Sequence, residues 1–490
     1  MRRGSHAEAF NAFSQWCTYN DVQLLDITLA ADDEKGNHFQ PTRDLENEDD
    51  NIELPLLLTV PKDLVLSSEA IHQYAKVDKN FREIFSRAGH QSHRVDTLLF
   101  LMLQYIYSSP DYQGTNGEAS PWAWYFDMLP FRVPVPTMWN EDELVYLNGS
   151  SLEPAVSAKL ISLNKEFDEV REKCENLPFW SDFLEDYEGI TVEDWVYFDA
   201  LYRSRSLELP KSGESMVPVL DMINHSSHAN AYFDENNEGE VRLLIRKGHT
   251  IQSGSHENAG IGSEITIDYG QGKSAAEMLF SYGFVEPGTP AGSLVIPLES
   301  MDDDPLAKPK LHVFGGAPTL KIKDAEDGVP TWTAPFVYLM CLNEDDGIDF
   351  RILQEVDGSR RLVLFWQDED VTDKAREFEG LIAGHDLEPI YHLRAITVIH
   401  SQIAGQVESL ETPLGRLDRE INPRFRFSIE SVQQLRRTEL DLMQRTLGAL
   451  ERQRDTLLEN DRVKAYLGSM EEPQNEEIGE QAPNNEEDFS

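Results

Sequence analysis

Hydrophobic and polar positions along this chain follow two different periods. Residues 217–285 are mostly β in pattern, because residues 217–220 and 241–245 are apolar runs of strand length and residues 265–267 alternate with period two. Glycines punctuate the same stretch. Residues 85–205 instead carry apolar side chains at helical spacing. The pattern therefore predicts a β-rich region joined to a long helical region.

The amino-acid composition changes after residue 285. Residues 286–330 are rich in Pro, Gly and Asp, which predicts loops or a linker. Helical spacing returns further on, at residues 332–342, 372–383, 390–410 and 429–458. Residues 469–490 are polar, acidic and almost free of apolar side chains, so they are predicted to be disordered.

Charge narrows the range of partners. The chain has 490 residues, 43 Lys and Arg against 88 Asp and Glu, and a formal net charge of −45. Phosphate binding needs a basic face, so this balance argues against nucleic acid as the main ligand. An acidic surface attracts cationic partners, which favours a basic, lysine-rich protein.

The cysteines and the apolar runs bear on metal binding, disulfide formation and membrane insertion. Three cysteines, at positions 17, 174 and 341, stand far apart without the spacing of zinc ligands or of a disulfide framework. We therefore expect no metal and a reducing compartment, cytoplasmic and/or nuclear. No apolar run approaches the ~20 residues that span a bilayer, and no secretory signal is expected.

Three short motifs occur in one order: DMINHS at 221–226, GSEITIDYG at 262–270 and YGFV at 282–285. Taken alone, Asn224-His225 would be a hydrogen-bonded turn and the tyrosines would be core aromatics. Together the motifs resemble the C-terminal half of a SET domain, the fold of AdoMet-dependent protein methyltransferases.

The N-terminal half fits the same resemblance. The segment VPKDLVLS at 60–67 is similar to a family segment, and the turn KGNHF at 35–39 lies where the family usually has G-x-G. The second glycine is replaced by His38. Glycine adopts φ > 0 freely, and Asn and His are enriched there among other residues, so we expect the turn to survive with His38 in that conformation.

A long helical insert that ends in Ser204-Arg205 resembles one subgroup, the non-histone lysine methyltransferases of the Rubisco large-subunit and ribosomal-protein type. This resemblance implies an α+β fold: a β-rich, pseudoknotted SET core with a large helical insert, followed by an all-helical C-terminal domain. The predicted boundaries are 1–285 for the SET domain with its insert at about 85–205, 290–465 for the substrate-binding-like helical domain, and 469–490 for the tail.

The resemblance also implies roles for individual residues. Tyr269 is the expected catalytic residue, and its hydroxyl would orient the target amine. S-adenosyl-L-methionine is the implied cofactor, and the residues expected to bind it are Lys35, Gly36, Asn37, Arg205, Asn224, His225 and Phe284. The residues expected to form the substrate channel are Asp221, Tyr269 and Tyr282.

The chemistry is compatible with these residue types. A free lysine has a pKa near 10.4, and a narrow apolar channel lowers it by desolvation. Aromatic walls tolerate cations. The function implied is N-methylation of a lysine in a non-histone, possibly ribosomal, protein by a monomeric enzyme. Two alternatives stay open: an actin-type protein-histidine methyltransferase, and a catalytically inactive SET-fold binding module, for which His38 is the main support.

A hydrolase and a Rossmann methyltransferase are disfavoured. The chain has no G-x-S-x-G motif, and its cysteines have no basic partner nearby in sequence. No strand–G-x-G-x-G–helix unit occurs near the start.

Overall fold

A computed structural model of the chain describes residues 10–32, 36–46, 56–112, 114, 120–184, 189–253, 264–301, 303–325, 328–354, 359–412 and 426–471. The described residues form two compact units. The first unit draws them from 1–292 and 413–439, and the second from 293–412 and 440–490.

The first unit combines helices with short strands. Its helices are α1 (Phe13–Tyr19), α2 (Ser68–Val77), α3 (Lys79–Ala88), α4 (His93–Ser108), α5 (Pro121–Phe126), α6 (Glu141–Leu144), α7 (Leu152–Cys174), α8 (Pro178–Leu184), α9 (Val192–Arg205) and α10 (Ala275–Tyr282). Its strands are β1 (Gln23–Leu24), β2 (Ile27–Asp32), β3 (Gly36–Pro41), β4 (Leu45–Glu46), β5 (Leu56–Val60), β6 (Ser206–Leu209), β7 (Gly213–Met216), β8 (Asn224–His225), β9 (Ala231–Glu235), β10 (Val241–Ile245), β11 (Thr250–Ile251) and β12 (Thr266–Ile267).

Strand β5 is at the centre of the largest sheet. The order is β1-β5-β10-β9, and every neighbouring pair is antiparallel. Leu57, Leu58 and Val60 are buried, as expected for a strand between two others. The remaining strands form two-stranded pairs: β2 with β3, β4 with β11, β6 with β7, and β8 with β12.

The pair β8–β12 brings two of the sequence motifs side by side. It is parallel, with Thr266 opposite Asn224 and Ile267 opposite His225. Ile265 also bridges Phe39 of β3. The turn segment near residue 36 and the two central motifs are therefore joined through backbone pairing.

The prediction of a strand at residues 217–220 is wrong. Strand β7 ends at Met216, and residues 220–222 form a 3₁₀ turn. Val217, Val219 and Leu220 are all buried. The run is apolar because it packs in the core, and apolar content by itself does not distinguish a strand from a buried turn.

Helical structure begins earlier than the predicted position of about 85. Helix α2 starts at Ser68 and α3 at Lys79. The Ser67 side chain accepts a hydrogen bond from the Ala70 backbone amide, and the Asp78 side chain accepts one from Phe81. These N-caps satisfy amides that have no partner within the helix, and they are the signals that mark both starts.

The second unit also contains sheet. Its strands are β13 (Ser293–Pro297), β14 (Thr319–Lys323), β15 (Thr331–Thr333), β16 (Ile348–Gln354), β17 (Arg360–Trp366) and β18 (Glu369–Asp370). Its helices are α11 (Ala307–Phe314), α12 (Pro335–Cys341), α13 (Phe378–Ile382), α14 (Glu388–Glu411) and α16 (Asp461–Glu471), together with the second part of α15 (Arg426–Leu458).

The C-terminal region contains predicted helices, but the prediction that it is all-helical is wrong. Two antiparallel sheets, β13-β14-β15 and β16-β17-β18, lie before residue 371. In β13 and β14 buried and exposed residues alternate, a period-two pattern that the Pro- and Gly-rich composition masks. Helix α16 continues to residue 471, past the predicted tail boundary at 469, and residues 472–490 lie outside the described residues. Among the described helices, none combines the length and apolarity needed to cross a bilayer.

Candidate active site

A cavity of about 710 Å³ opens within the first unit. This volume is in the range of small-molecule sites. Its walls come from the start of β3, the loop before α6, the end of α9, the segment around β8, and the residues that flank β12 and α10. We call it the central cavity, and the residues that line it are Gly36, Asn37, Pro130, Phe131, Arg132, Val133, Pro134, Ser204, Arg205, Asp221, Met222, Asn224, His225, Glu264, Tyr269, Tyr282 and Phe284.

The predicted site residues meet at this cavity. Those that line it are Gly36, Asn37, Arg205, Asp221, Asn224, His225, Tyr269, Tyr282 and Phe284. Lys35 lies outside the described residues. The structure therefore brings together residues as far apart in sequence as Gly36 and Phe284. Their individual roles stay predictions.

Tyr269 lies just beyond β12, and its hydroxyl is fixed. The hydroxyl donates a hydrogen bond to the Ile223 carbonyl at 2.7 Å. Its ring is 5.1 Å from the His225 ring and 4.7 Å from the Tyr282 ring, between centroids. Burial raises the pKa of Tyr269 well above its usual value, so the phenol stays protonated at physiological pH.

His225 faces the backbone of Tyr269. The Tyr269 amide donates to His225 Nδ1 at 3.1 Å, so Nδ1 acts as the acceptor and the ring proton belongs on Nε2. His225 Nε2 lies 3.7 Å from a Glu286 carboxylate oxygen. Asn224, its neighbour in β8, donates its side-chain amide to Glu264 at 2.8 Å. These contacts fix the orientation of the Asn-His pair.

A buried ion pair lies behind these residues. Arg205 Nη1 donates to the Asp221 carbonyl at 2.9 Å and to its carboxylate at 3.2 Å. The Asp221 side chain is fully buried, at 0% exposure, and burial raises the pKa of its carboxyl. Within the part of the chain that the structure describes, the buried Nε of Arg205, a residue of the cavity wall, has no hydrogen-bond partner.

The turn before β3 corrects the expectation for His38. The residue with positive φ is Gly36, at +66°, whereas His38 is an ordinary member of β3 opposite Ala30. His38 is buried, and its Nδ1 lies 3.1 Å from the Gly36 carbonyl. The prediction that His38 occupies a glycine-like conformation is therefore wrong, because His38 has ordinary strand geometry and the positive φ among the described residues 36–39 belongs to Gly36.

The YGFV motif forms an aromatic wall. Tyr282 and Phe284 both line the central cavity, with ring centroids 6.4 Å apart, and burial raises the pKa of Tyr282 to about 12. Gly283 ends α10 with φ +86°, and a Cβ at this position would lie 2.6 Å from the Pro134 backbone. The motif therefore needs its glycine both for the turn and for close approach.

Four parts of the wall were not predicted as site residues: Ser204, Met222, Glu264 and the loop 130–134. Glu264, which holds Asn224, lies inside a recognised motif but was given no role. Residues 130–134 also line the cavity. This loop is pinned at both ends, by Tyr197 donating to the Pro130 carbonyl at 2.9 Å and by Trp139 donating to the Pro134 carbonyl at 2.8 Å. Its two prolines were the available signal for a rigid connector.

The residues present fit an AdoMet-like molecule. Such a molecule carries a cationic sulfonium, an adenine ring and an amino-acid end. The central cavity offers aromatic faces for a cation and for a flat ring, and polar groups at Asn37, Asn224 and Arg205 for hydrogen bonds. The described residues contain no cluster of three or more His, Cys, Asp or Glu side chains arranged to hold a metal ion.

Comparison with known proteins identifies relatives of the chain. No protein-family model matches the chain. The chain is 28% identical over 389 residues to SET domain-containing protein 8 from Schizosaccharomyces pombe, a match that covers 78% of this chain and 82% of that protein. It is 30% identical over 201 residues to the ribulose-1,5-bisphosphate carboxylase/oxygenase large subunit N-methyltransferase of Pisum sativum, and this match covers 40% of each. The chain thus spans under half the length of the pea enzyme.

More distant matches complete the comparison. The chain is 21% identical over 359 residues to an actin-histidine N-methyltransferase from Gallus gallus, covering 70% of this chain and 54% of that protein. Its fold superimposes on a crystal structure of the SET domain of LSMT bound to lysine and AdoHcy with a TM-score of 0.63, at 19% identity, covering 93% of each chain. The predicted resemblance and the predicted fold class, a SET core with a helical C-terminal region, are confirmed.

Proposed function

We propose that this SET-domain protein, an AdoMet-dependent lysine N-methyltransferase, acts on a lysine in a basic segment of a non-histone protein. The relatives and structural neighbours support the enzyme class and S-adenosylmethionine as its cofactor. The observation that carries the proposal is the central cavity. Its walls combine the aromatic rings of Tyr269, Tyr282 and Phe284 with polar side chains that include Arg205 and Asn224.

The polar residues of the wall are suited to holding the cofactor. Gly36 and Asn37 present backbone at the start of β3, and none of the described residues has an atom within 4 Å of the position of a Cβ on Gly36, so a ligand can approach it closely. Asn224, His225 and Arg205 supply further polar groups to the cavity wall. Bound AdoMet supplies an electrophilic methyl group on its sulfonium.

The aromatic residues of the wall are suited to holding the amine. A lysine amine reacts only when it is neutral, and burial among Tyr269, Tyr282 and Phe284 lowers its pKa by desolvation. The Tyr269 hydroxyl already donates to the Ile223 carbonyl, so the lone pairs of its oxygen can accept a hydrogen bond from the amine. Orientation of the amine toward the methyl group, with water excluded, is what an in-line transfer requires.

The charge of the chain supports a basic partner. The formal net charge of −45 favours a lysine-rich segment, for which ribosomal proteins are the proposed source. The cytoplasm and/or nucleus is the proposed location, and a monomer the proposed state.

The two alternatives receive less support. The similarity to an actin-histidine N-methyltransferase is weaker than that to the lysine enzymes. The inactive-module hypothesis relied on His38, and His38 lies in β3 rather than at the positive-φ position of the turn.

The test is incubation of the purified chain with isotopically labelled AdoMet and a lysate from cells that lack this protein, followed by mass spectrometry of labelled bands. We expect label on lysine of a basic protein, and much slower labelling with the variant Tyr269→Phe. Label on histidine would favour the actin-type alternative. Binding of AdoMet without any labelled protein would favour the inactive module.

A further inference from the structure

Tyr125 lies behind the central cavity and does not line it. We infer that Tyr125 is a positioning residue: its hydroxyl holds the segment 219–223, and through Asp221 it keeps Arg205 neutralised for a cationic cofactor. This inference rests on the proposed function. The observation behind the inference is the pair of hydrogen bonds made by the buried Tyr125 hydroxyl.

The Tyr125 ring is held rigidly. It lies in α5, which begins with the Ser120 side chain as N-cap and Pro121 in its first turn. Tyr125 is 0% exposed, with its ring centroid 5.0 Å from that of Trp16 and 5.5 Å from that of Trp122. The hydroxyl therefore has a fixed position that the cavity residues do not determine.

This hydroxyl makes two hydrogen bonds to the segment that follows β7. It accepts from the Val219 amide at 2.8 Å and donates to the Asp221 carboxylate. Val219 has φ +72°, a strained conformation that is rare for a β-branched residue. Such a conformation persists only when its surroundings impose it, and the Tyr125 hydroxyl is one contact that does so.

The held segment reaches the cavity at two points. Asp221 accepts from Arg205 through both its carbonyl and its carboxylate. Ile223, two residues later, presents the carbonyl that accepts the Tyr269 hydroxyl. A shift of the segment would therefore change both the ion pair and the catalytic hydroxyl.

The charge state of Asp221 affects the binding of a cationic cofactor. The groups that face the Asp221 carboxyl are Arg205 from α9, Tyr125 from α5 and Tyr269 beyond β12. Burial raises the pKa of Asp221, while Arg205 and the Tyr125 hydroxyl lower it. When Asp221 is protonated, Arg205 becomes an uncompensated cation in the cavity wall. A sulfonium ligand is then repelled, whereas a neutral thioether is not.

The experiment compares two ligands as a function of pH. The affinities of the wild type and of Tyr125→Phe for AdoMet and for AdoHcy are measured by calorimetry between pH 5 and 8. Tyr125→Phe keeps the ring and removes the donor to Asp221, so the pH below which AdoMet affinity falls should rise by about one unit, since one unit corresponds to a modest charged hydrogen bond. Near pH 8 the wild type and Tyr125→Phe should bind AdoMet with the same affinity. The affinity for AdoHcy should fall much less at acidic pH.

A matched control separates position from folding. Tyr107 is another tyrosine whose hydroxyl accepts from an amide, Asn80, and donates to a carboxylate, Asp78, each at 3.0 Å. Tyr107 does not line the cavity, so Tyr107→Phe should leave the pH dependence unchanged. If Tyr125→Phe does not fold, Asp221→Asn serves instead, and it should abolish the acid fall in AdoMet affinity.

The outcomes are distinct. Wild type that binds neither ligand would overturn the proposed function itself. If the wild type binds both ligands, two results for Tyr125→Phe would overturn the positioning role alone. One is a pH profile of AdoMet affinity that matches the wild type, and the other is an equal loss of affinity for both ligands at every pH. An Asp221→Asn variant with the wild-type acid fall would do the same.

Discussion

Gly283→Ala tests whether the aromatic wall depends on close packing at its glycine. Gly283 ends α10 in the left-handed region and separates Tyr282 from Phe284, both of which line the central cavity. An alanine there carries a left-handed backbone, which costs about 1 kcal/mol. Its Cβ would also lie 2.6 Å from the carbonyl carbon and oxygen of Pro134.

The overlap adds to the backbone cost. The obstructing atoms are backbone, and the Pro134 carbonyl is held by the Trp139 indole at 2.8 Å, so the loop cannot yield cheaply. Overpacking of this kind costs about 1–3 kcal/mol. We therefore expect a total loss of roughly 2–4 kcal/mol of stability in the first unit, and a displacement of Tyr282 and Phe284 that weakens AdoMet binding.

Gly248 offers a control in the same unit. It has φ +75°, but no atom of the described residues lies within 4 Å of the position of a Cβ there. Gly248→Ala should lose only the backbone cost of about 1 kcal/mol and should bind AdoMet normally. The measurements are hydrogen exchange of first-unit amides and calorimetric titration of AdoMet. Equal losses in the two variants, with unchanged AdoMet affinity, would refute the argument from close packing.

Three further predictions concern catalysis, charge and partner. Tyr269→Phe should lower kcat at least about tenfold with little change in AdoMet Kd, because the hydroxyl acts mainly in the transition state; wild-type turnover would reduce Tyr269 to a core aromatic. Asp199→Asn should cost about 3–5 kcal/mol in thermal unfolding, since this fully buried carboxylate pairs with Arg94, Lys159 and Arg203. Burial raises the pKa of Asp199, but these cations outweigh it and hold the pKa below its usual value, so the wild type should keep this stabilisation above about pH 4 and lose it as pH falls, whereas the variant should show no such fall. For the identified substrate, KM should rise with salt because exposed charges are screened beyond about 10 Å at 0.1 M; a salt-independent KM would leave the acidity as a solubility feature.

The sequence motifs pointed to the cavity because their residue types indicate a particular chemistry, even though they say little about local backbone structure. Asn224, His225, Tyr269 and Tyr282 were singled out from the sequence, and all of them line one cavity. The route by which they meet was not visible in the sequence. It depends on the parallel pairing of β8 with β12, each only two residues long, and strands that short leave no periodic signal.

The misreadings have a common cause in long-range contacts. The run at 217–220 is apolar because it is buried, and its shape is set in part by the Tyr125 hydroxyl, 94 residues earlier. His38 was judged by its distance from Gly36 in sequence, whereas its pairing with Ala30 fixes it in a strand. Residues 130–134 are held beside the site by hydrogen bonds from Tyr197 and Trp139 and by close packing at Gly283. Local patterns carry no information about such partners.

Burial gives the central cavity a way to methylate an amine without a dedicated base. The same desolvation that raises the pKa of Tyr269 and of Tyr282 would lower that of a lysine placed beside them. The phenols therefore stay neutral donors while the amine is driven toward its neutral, nucleophilic form. Asp221 cannot serve as the base, because its carboxylate is engaged by Arg205 and by Tyr125. A lysine that enters must lose its proton before it is fully enclosed, so turnover should rise with pH in a range set by the lysine itself.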